Sequence, residues 1–259
     1  MPERDFGGKV GLQASHHSDA STDRRARPDV DDPHEIRWES GPDCTHCDLR
    51  QQALFSALHE SRLEHLQSAI GSAVIPVGVA VYRESEPATA VYTVGRGLIK
   101  LLKQGPSGER IVRLLGSGAA VGLEAYFDGR YRHTAVAMRP TELCRIPLEV
   151  LGELQRHDAG LAHSVLDQWQ QQLESADRWL SELSQGVAAE RIERLVAILA
   201  EMEEGGASSL VQLPTTSEVA SMLGITRESV SRALNGLRRT RTLRRVAPHI
   251  YEYRPDAPH

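Results

Sequence analysis

The segment from Thr216 to Arg239, Thr-Ser-Glu-Val-Ala-Ser-Met-Leu-Gly-Ile-Thr-Arg-Glu-Ser-Val-Ser-Arg-Ala-Leu-Asn-Gly-Leu-Arg-Arg, restricts this chain more than any other. Its pattern predicts two short helices joined by a tight turn. Ala220 lies four residues before Gly224, and both are small enough to let two helices cross closely. Val219, Leu223, Ile225, Val230, Leu234 and Leu237 form an apolar seam at helical spacing. Thr226 is placed to cap the second helix, so Arg227, Glu228, Ser231 and Arg232 fall on its first two turns. Those turns are the part of a reading helix that meets base edges in a DNA major groove. An ordinary helical hairpin with a solvated arginine face is the competing reading.

Charge favours the first reading. The 259-residue chain carries a net charge of -5, but from Leu210 onward eight arginines face four acidic residues, giving +4 and leaving -9 for the rest. A basic carboxy-terminal module on an acidic body suits localised phosphate contacts better than general polyanion binding. No run approaches the ~18 apolar residues that span a bilayer, and the charged start is not a secretory signal. A cytoplasmic protein without a membrane partner is therefore expected. Three cysteines are too few for a disulfide-stapled scaffold, which agrees with a reducing compartment.

The chain divides by the period of its apolar residues. Residues 1–42 show almost none and read as a disordered leader. Residues 43–157 read as a sensor β domain with a metal-binding loop near its start. Leu54 to Ala69 looks helical; short runs follow at Val74–Tyr82, Ala90–Val94, Leu98–Lys103, Arg110–Leu115 and Thr134–Met138, punctuated by glycines. Such spacing predicts a small antiparallel barrel or sandwich and leaves no room for the crossover helices of a parallel sheet.

Residues 158–185 read as a dimerisation helix. Leu161, Val165, Gln168, Gln172, Ala176, Leu180 and Leu183 recur every three or four residues, with Trp169, Leu173 and Trp179 widening the stripe. A second copy packed as a parallel coiled coil would bury it, and the chain's own β domain is the alternative. Residues 186–259 complete a winged helix-turn-helix, with Ser209–Leu213 and Leu243–Tyr253 as the small sheet.

This order of modules resembles the CRP/FNR family of bacterial transcription regulators from about Cys44 to Tyr253. Leu223-Gly-Ile-Thr-Arg-Glu-Ser-Val-Ser-Arg232 is similar to the family's DNA-reading helix, and Val187-Ala-Ala-Glu-Arg-Ile192 to the opening of its DNA-binding domain. Gly95-Arg-Gly-Leu-Ile-Lys100 and Val121-Gly-Leu-Glu-Ala125 resemble the oxygen-sensing FNR branch. The resemblance implies an α+β fold with an amino-terminal antiparallel β-barrel (a cyclic-nucleotide-binding-like jelly roll), a homodimer, double-stranded DNA with an inverted repeat of TTGA-type half-sites, and RNA polymerase as a partner. It also implies base contacts by Glu228 and Arg232, with Ser231 characteristic of the FNR branch. Independently, arginine can bond bidentately to guanine, glutamate can accept from cytosine N4, and serine can adapt to either edge. Arg227 adds a phosphate or base contact. Arg238, Arg239, Arg241, Arg244 and Arg245 read as phosphate neutralisers, with some of them simply solvated.

For the input signal, Cys44-Thr-His-Cys47 and the distant Cys144 suit zinc, an iron–sulfur cluster, a redox switch or no ligand. The resemblance implies a [4Fe–4S] cluster with Cys44, Cys47 and Cys144 as three ligands. The remaining expected cysteine position holds Ala53, so either the cluster takes a different fourth ligand (Asp43, His46, Asp48 and His59 are the candidates), or one iron is left open, or the chain no longer builds it. A cyclic nucleotide is the alternative effector. Gly122 and Arg132 fill part of such a site, but Leu123 and His133 stand where cAMP receptors carry an acidic residue and a serine. Glu124 is placed to compensate. No HExxH, GxSxG or P-loop pattern marks an enzyme, and a coiled-coil adaptor would not need the basic reading helix.

Overall fold

The computed structural model describes residues 36–40, 54, 67–106, 108–157, 159–203 and 210–254. Its first part consists of short strands: β1 (Glu39–Ser40), β2 (Gly71–Ile75), β3 (Ala80–Tyr82), β4 (Ala90–Val94), β5 (Ile99–Gly105), β6 (Gly108–Leu115), β7 (Ala120–Val121), β8 (Thr134–Ala137) and β9 (Thr141–Pro147). One short helix, α1 (Ala125–Asp128), separates β7 from β8. The expected Val74–Tyr82 run is split into two strands, with Gly78 at φ +82° turning the chain between them. The expected helix from Leu54 falls mostly outside the described residues.

The expected closed β-barrel does not form. The strands make two open antiparallel sheets, ordered β1-β2-β9-β4-β7 and β3-β8-β5-β6. Ile75, Tyr92, Val94 and Leu143 from the first pack on Tyr82, Ile99, Leu101 and Ala137 from the second. Side chains, rather than a continuous ladder, join the sheets. The physical reason is visible at β7, an edge strand of only two residues. There Gln168 accepts from the Ala120 N–H at 3.0 Å, while Gln172 donates to the Ala120 carbonyl at 2.8 Å. Helical side chains thus satisfy an edge that a neighbouring strand would occupy in a barrel.

The helical part runs α2 (Leu148–His157), α3 (Ala159–Leu183) and α4 (Ala188–Glu201), then β10 (Leu210–Gln212), α5 (Thr216–Leu223), α6 (Arg227–Arg239), β11 (Leu243–Ala247) and β12 (Ile250–Tyr253). Strands β10, β12 and β11 form the wing sheet in that order. Among the described residues no helix is long and apolar enough to cross a membrane.

Two faces of α3 correct the expected dimer stripe. Leu161, Val165 and Gln168 are buried against the chain's own β module, and Leu183 is buried beneath the carboxy-terminal helices. The outer face carries Leu166, Trp169, Leu173 and Leu180, each exposed, with the half-buried Ala176 between them. Their spacing of three, four, three and four residues is a heptad seam. Phe127 of α1, also exposed, meets Trp169 edge-on with ring centroids 5.6 Å apart.

The modules read separately in the sequence share a core. Leu98, Ile111 and Leu114 of the β module pack in one cluster with Ile192, Leu195 and Leu199 of α4 and with Val219, Leu223, Val230 and Leu237. The helix pair is thereby seated directly on the second sheet.

Candidate nucleic-acid interface

Local chemistry determines how α5 and α6 are presented. Thr215 and Glu218 form a capping box: the Thr215 hydroxyl accepts from the Glu218 N–H at 3.3 Å, and the Glu218 carboxylate accepts from the Thr215 N–H at 2.9 Å. Gly224 ends α5 at φ +63°, where an L side chain would be strained, and its N–H donates to the Ala220 carbonyl. Thr226 then caps α6 by accepting from the Ser229 N–H at 3.2 Å. Val230, Ala233 and Leu237 turn inward, with Ile225 and Leu234 half-buried on the same core. This leaves Arg227, Glu228, Ser231, Arg232, Asn235, Arg238 and Arg239 exposed.

Arg232, Asn235, Arg238 and Arg239 line an open groove of about 710 Å³ on that face. Asn235 was not among the residues singled out in the sequence. Its signal was the position three residues beyond Arg232 and four beyond Ser231. The guanidinium groups are lightly held: Arg232 reaches the Ser229 hydroxyl at 3.3 Å and Arg238 the Asn235 side chain at 3.4 Å. Glu228 is held below the ordinary carboxylate range by its own backbone N–H and then by Thr226, with Arg227 and Arg232 nearby. At neutral pH it is a pure acceptor, the form that matches a cytosine amino group.

The wing arginines divide into two kinds. Arg245 is exposed, with a long contact of 3.4 Å to the Ala247 carbonyl. Arg244, expected to be a phosphate neutraliser, is bonded to Glu252 on the adjacent strand at 2.5 Å.

Polar contacts secure the reading head to the β module. Lys100 of β5 donates to Glu218 at 2.7 Å, using the carboxylate oxygen that the capping box leaves available. Arg139 makes a two-point ion pair with Glu203 at 2.6 and 3.1 Å. Arg191 donates to the Leu183 carbonyl at 2.6 Å and also to that of Leu223, joining the ends of α3 and α5. Burial opposes ionisation of Glu218, but Lys100 and the Thr215 donors outweigh it and lower its pKa. A depressed folded-state pKa adds stability above the unfolded value of about 4.3 that is lost as pH falls through the folded value. Denaturation of the parent and of Glu218→Gln between pH 7 and pH 3 should therefore show a stability gap that narrows on acidification. A gap independent of pH would remove this role from the Lys100–Glu218 pair.

On the input side, Cys144 lies half-buried in the central strand β9, opposite Ser72 and Thr93. It packs on a cluster that includes the fully buried Leu54. Cys44, Cys47, Ala53, Asp43, His46, Asp48 and His59 lie outside the described residues. Among the described residues no group of three or more His, Cys, Asp or Glu forms a metal-binding cluster.

The other candidate effector positions fall near one another. Leu123 is fully buried in the apolar core and cannot serve a ribose. Glu124 accepts from the Arg132 N–H at 3.3 Å and lies 3.2 Å from His133 Nδ1. Burial opposes ionisation of Glu124, but His133 and backbone donors outweigh it and hold the carboxyl below its ordinary range. The Arg132 guanidinium is paired with Asp128 at 2.7 Å on the surface. Tyr82 stacks on Tyr131 at 3.7 Å, both rings closing on Gly122. The buried Tyr82 hydroxyl has no hydrogen-bond partner among the described residues; burial, with the Glu124 charge, raises its pKa well above the ordinary value.

Residues 74–158 match the family model of the cyclic nucleotide-binding domain, and residues 193–252 match that of the Crp-like helix-turn-helix domain. A probable transcriptional activator of Rhizobium leguminosarum bv. viciae is 28% identical over 205 residues, covering 78% of this chain and 85% of the relative. The cyclic AMP receptor protein of Thermus thermophilus is 28% identical over 211 residues, covering 81% and 95%. Among solved structures, FixK2 of Bradyrhizobium japonicum superposes with a TM-score of 0.63 at 23% identity, covering 71% of this chain and 92% of that one. A cyclic nucleotide-binding-type β module seated against a Crp-like helix-turn-helix, together with these relatives, supports membership of the CRP/FNR superfamily of DNA-binding transcription regulators.

Proposed function

We propose that the chain acts as a homodimer that reads a two-fold inverted repeat in double-stranded DNA. The carrying observation is the α6 face, where Arg227, Glu228, Ser231, Arg232 and Asn235 stand exposed on a helix whose opposite face is buried. Arg232 and Glu228 read base edges, while Arg238, Arg239 and Arg245 neutralise phosphates. The likeness of α6 to the family's reading helix supports TTGA-type half-sites, with RNA polymerase as the protein partner. The ranges 43–157, 158–185 and 186–259 serve as input module, dimer helix and reading head. Selection from random duplexes should enrich a palindrome; enrichment of none, under every effector condition below, would sink this reading.

For the input, the match to the cyclic nucleotide-binding model supports a small-molecule effector more than the iron–sulfur cluster. The Tyr82 hydroxyl, without a partner among the described residues, is a buried polar group that such a molecule would satisfy. Arg132 is the phosphate-holding candidate, because its pair with Asp128 is exposed, screened by water and yields readily. Glu124 would take the ribose side in place of the buried Leu123. Cyclic AMP or cyclic GMP at about 100 times Kd should stabilise the protein by about 2.7 kcal/mol, with the shift lost in Arg132→Ala. An unchanged melting temperature beside an enriched palindrome would leave a regulator without a bound nucleotide. Iron and sulfide in stoichiometric amount after anaerobic purification would restore the cluster reading, in which oxygen acts through Cys44, Cys47 and Cys144; zinc without sulfide would indicate a structural metal.

A further inference from the structure

We propose that Glu252 restrains sequence-independent DNA binding by holding Arg244 and Arg254 away from the phosphate backbone. The inference rests on the DNA-reading function above and assigns a role to an acidic residue that this function does not use.

The wing register places Glu252 directly opposite Arg244 on β11. Paired residues of an antiparallel ladder project from the same sheet face, so the two side chains meet without distortion. Arg244 binds the Oε2 atom through Nε at 2.5 Å and through Nη2 as well. Arg254 takes the Oε1 atom through Nε at 2.9 Å and Nη2 at 2.6 Å. Each carboxylate oxygen is thus occupied by two N–H groups of one guanidinium. Arg254 is positioned further by its own backbone N–H, which donates to the Thr242 carbonyl at 2.9 Å.

The rest of the basic surface is arranged differently. Arg232, Arg238 and Arg239 open onto the α6 groove, and among the described residues Arg245 has only the long carbonyl contact. Only 15% of the Glu252 side chain is exposed, against 63% and 54% for Arg244 and Arg254, so the acid sits beneath its two partners. Its two guanidinium neighbours, Arg254 first, keep its carboxyl below the ordinary range and therefore ionised at neutral pH. The carboxylate takes the Nε and Nη2 donors of each arginine and offsets their charge, so a phosphate gains less from engaging either one while Glu252 is ionised. Sequence-independent affinity arises almost wholly from phosphate neutralisation. One half-buried carboxylate thereby weakens the contribution of two arginines and leaves base reading by α6 untouched.

The test compares the salt dependence of binding to a random-sequence duplex for the parent and Glu252→Gln, which preserves shape and removes the charge. The variant should bind about tenfold tighter at ~0.1 M salt, and its log–log salt slope should steepen by about 1 for each guanidinium that reaches a phosphate. Adding Arg244→Gln and Arg254→Gln to that variant should return the slope to the parent value. An unchanged or shallower slope in Glu252→Gln overturns the proposal, because the arginines would then already be engaged or would need Glu252 to position them. Should Glu252→Gln fail to fold, the double variant Arg244→Gln/Arg254→Gln gives the answer. A slope equal to the parent's supports the restraint, and a flattened one refutes it. A parent that binds no duplex at any salt concentration overturns the DNA-reading function itself and this proposal with it, an outcome distinct from parent binding that Glu252→Gln leaves unaltered.

Discussion

Leu180→Glu is expected to convert the dimer to monomers in sedimentation at concentrations where the parent is dimeric. Leu180 is 65% exposed on the single chain and lies on the Leu166, Trp169, Leu173, Ala176 and Leu180 seam. Burying a leucine stabilises by about 1.5–3 kcal/mol. Two-fold symmetry removes that contribution twice, so the loss is about 3–6 kcal/mol, or roughly 10²- to 10⁴-fold in dimer affinity. The buried charge adds to the loss. Val165→Ala separates the two faces of α3: it removes volume from the intramolecular core and should lower the melting temperature more than it weakens association. A Leu180→Glu dimer as tight as the parent would exclude the outer face from the interface.

Arg232→Ala should lose about 1–3 kcal/mol of discrimination per half-site at the base pair it reads, about 5- to 150-fold. Competition titrations with operators changed one base pair at a time would locate that position. The preference should relax there and persist elsewhere. Arg245→Ala should instead weaken all duplexes alike and flatten the salt slope by about 1. Uniform weakening by Arg232→Ala would reassign Arg232 to the phosphate backbone and leave Glu228, Ser231 and Asn235 as the base readers.

These two sites differ in how much of them the sequence disclosed. The exposed face of α6 was legible because capping, turn glycine and apolar period all act within a few residues of one another. Its unforeseen member, Asn235, sits at ordinary helical spacing but carries no charge to mark it. The helix expected over residues 158–185 was equally local, and α3 runs from Ala159 to Leu183. Which stripe faces outward was not, because α3 has two apolar faces. The glutamines at 168 and 172 look like dimer-seam positions until the β7 edge supplies their hydrogen-bond partners.

Strand β9 was missed for a related reason. Glu142 and Arg145 interrupt its apolar pattern, yet it pairs with β2 on one side and β4 on the other. Arg244 was counted with the phosphate neutralisers because charge counting cannot see a partner eight residues away across a hairpin. The two open sheets had the same origin: short strands with glycine turns are common to barrels and to open sheets, and only hydrogen bonding at the edges separates them.

Residue order alone therefore determined most of the elements, the basic helix α6 and its caps, since each depends on backbone preferences and side chains close along the chain. Tertiary structure decided what long-range partners control: the open sheets, the outward face of α3, the Lys100–Glu218 tie between modules and the pairing of Arg244 with Glu252. A side chain's type sets which contacts it can make, and the fold sets which partner comes within reach.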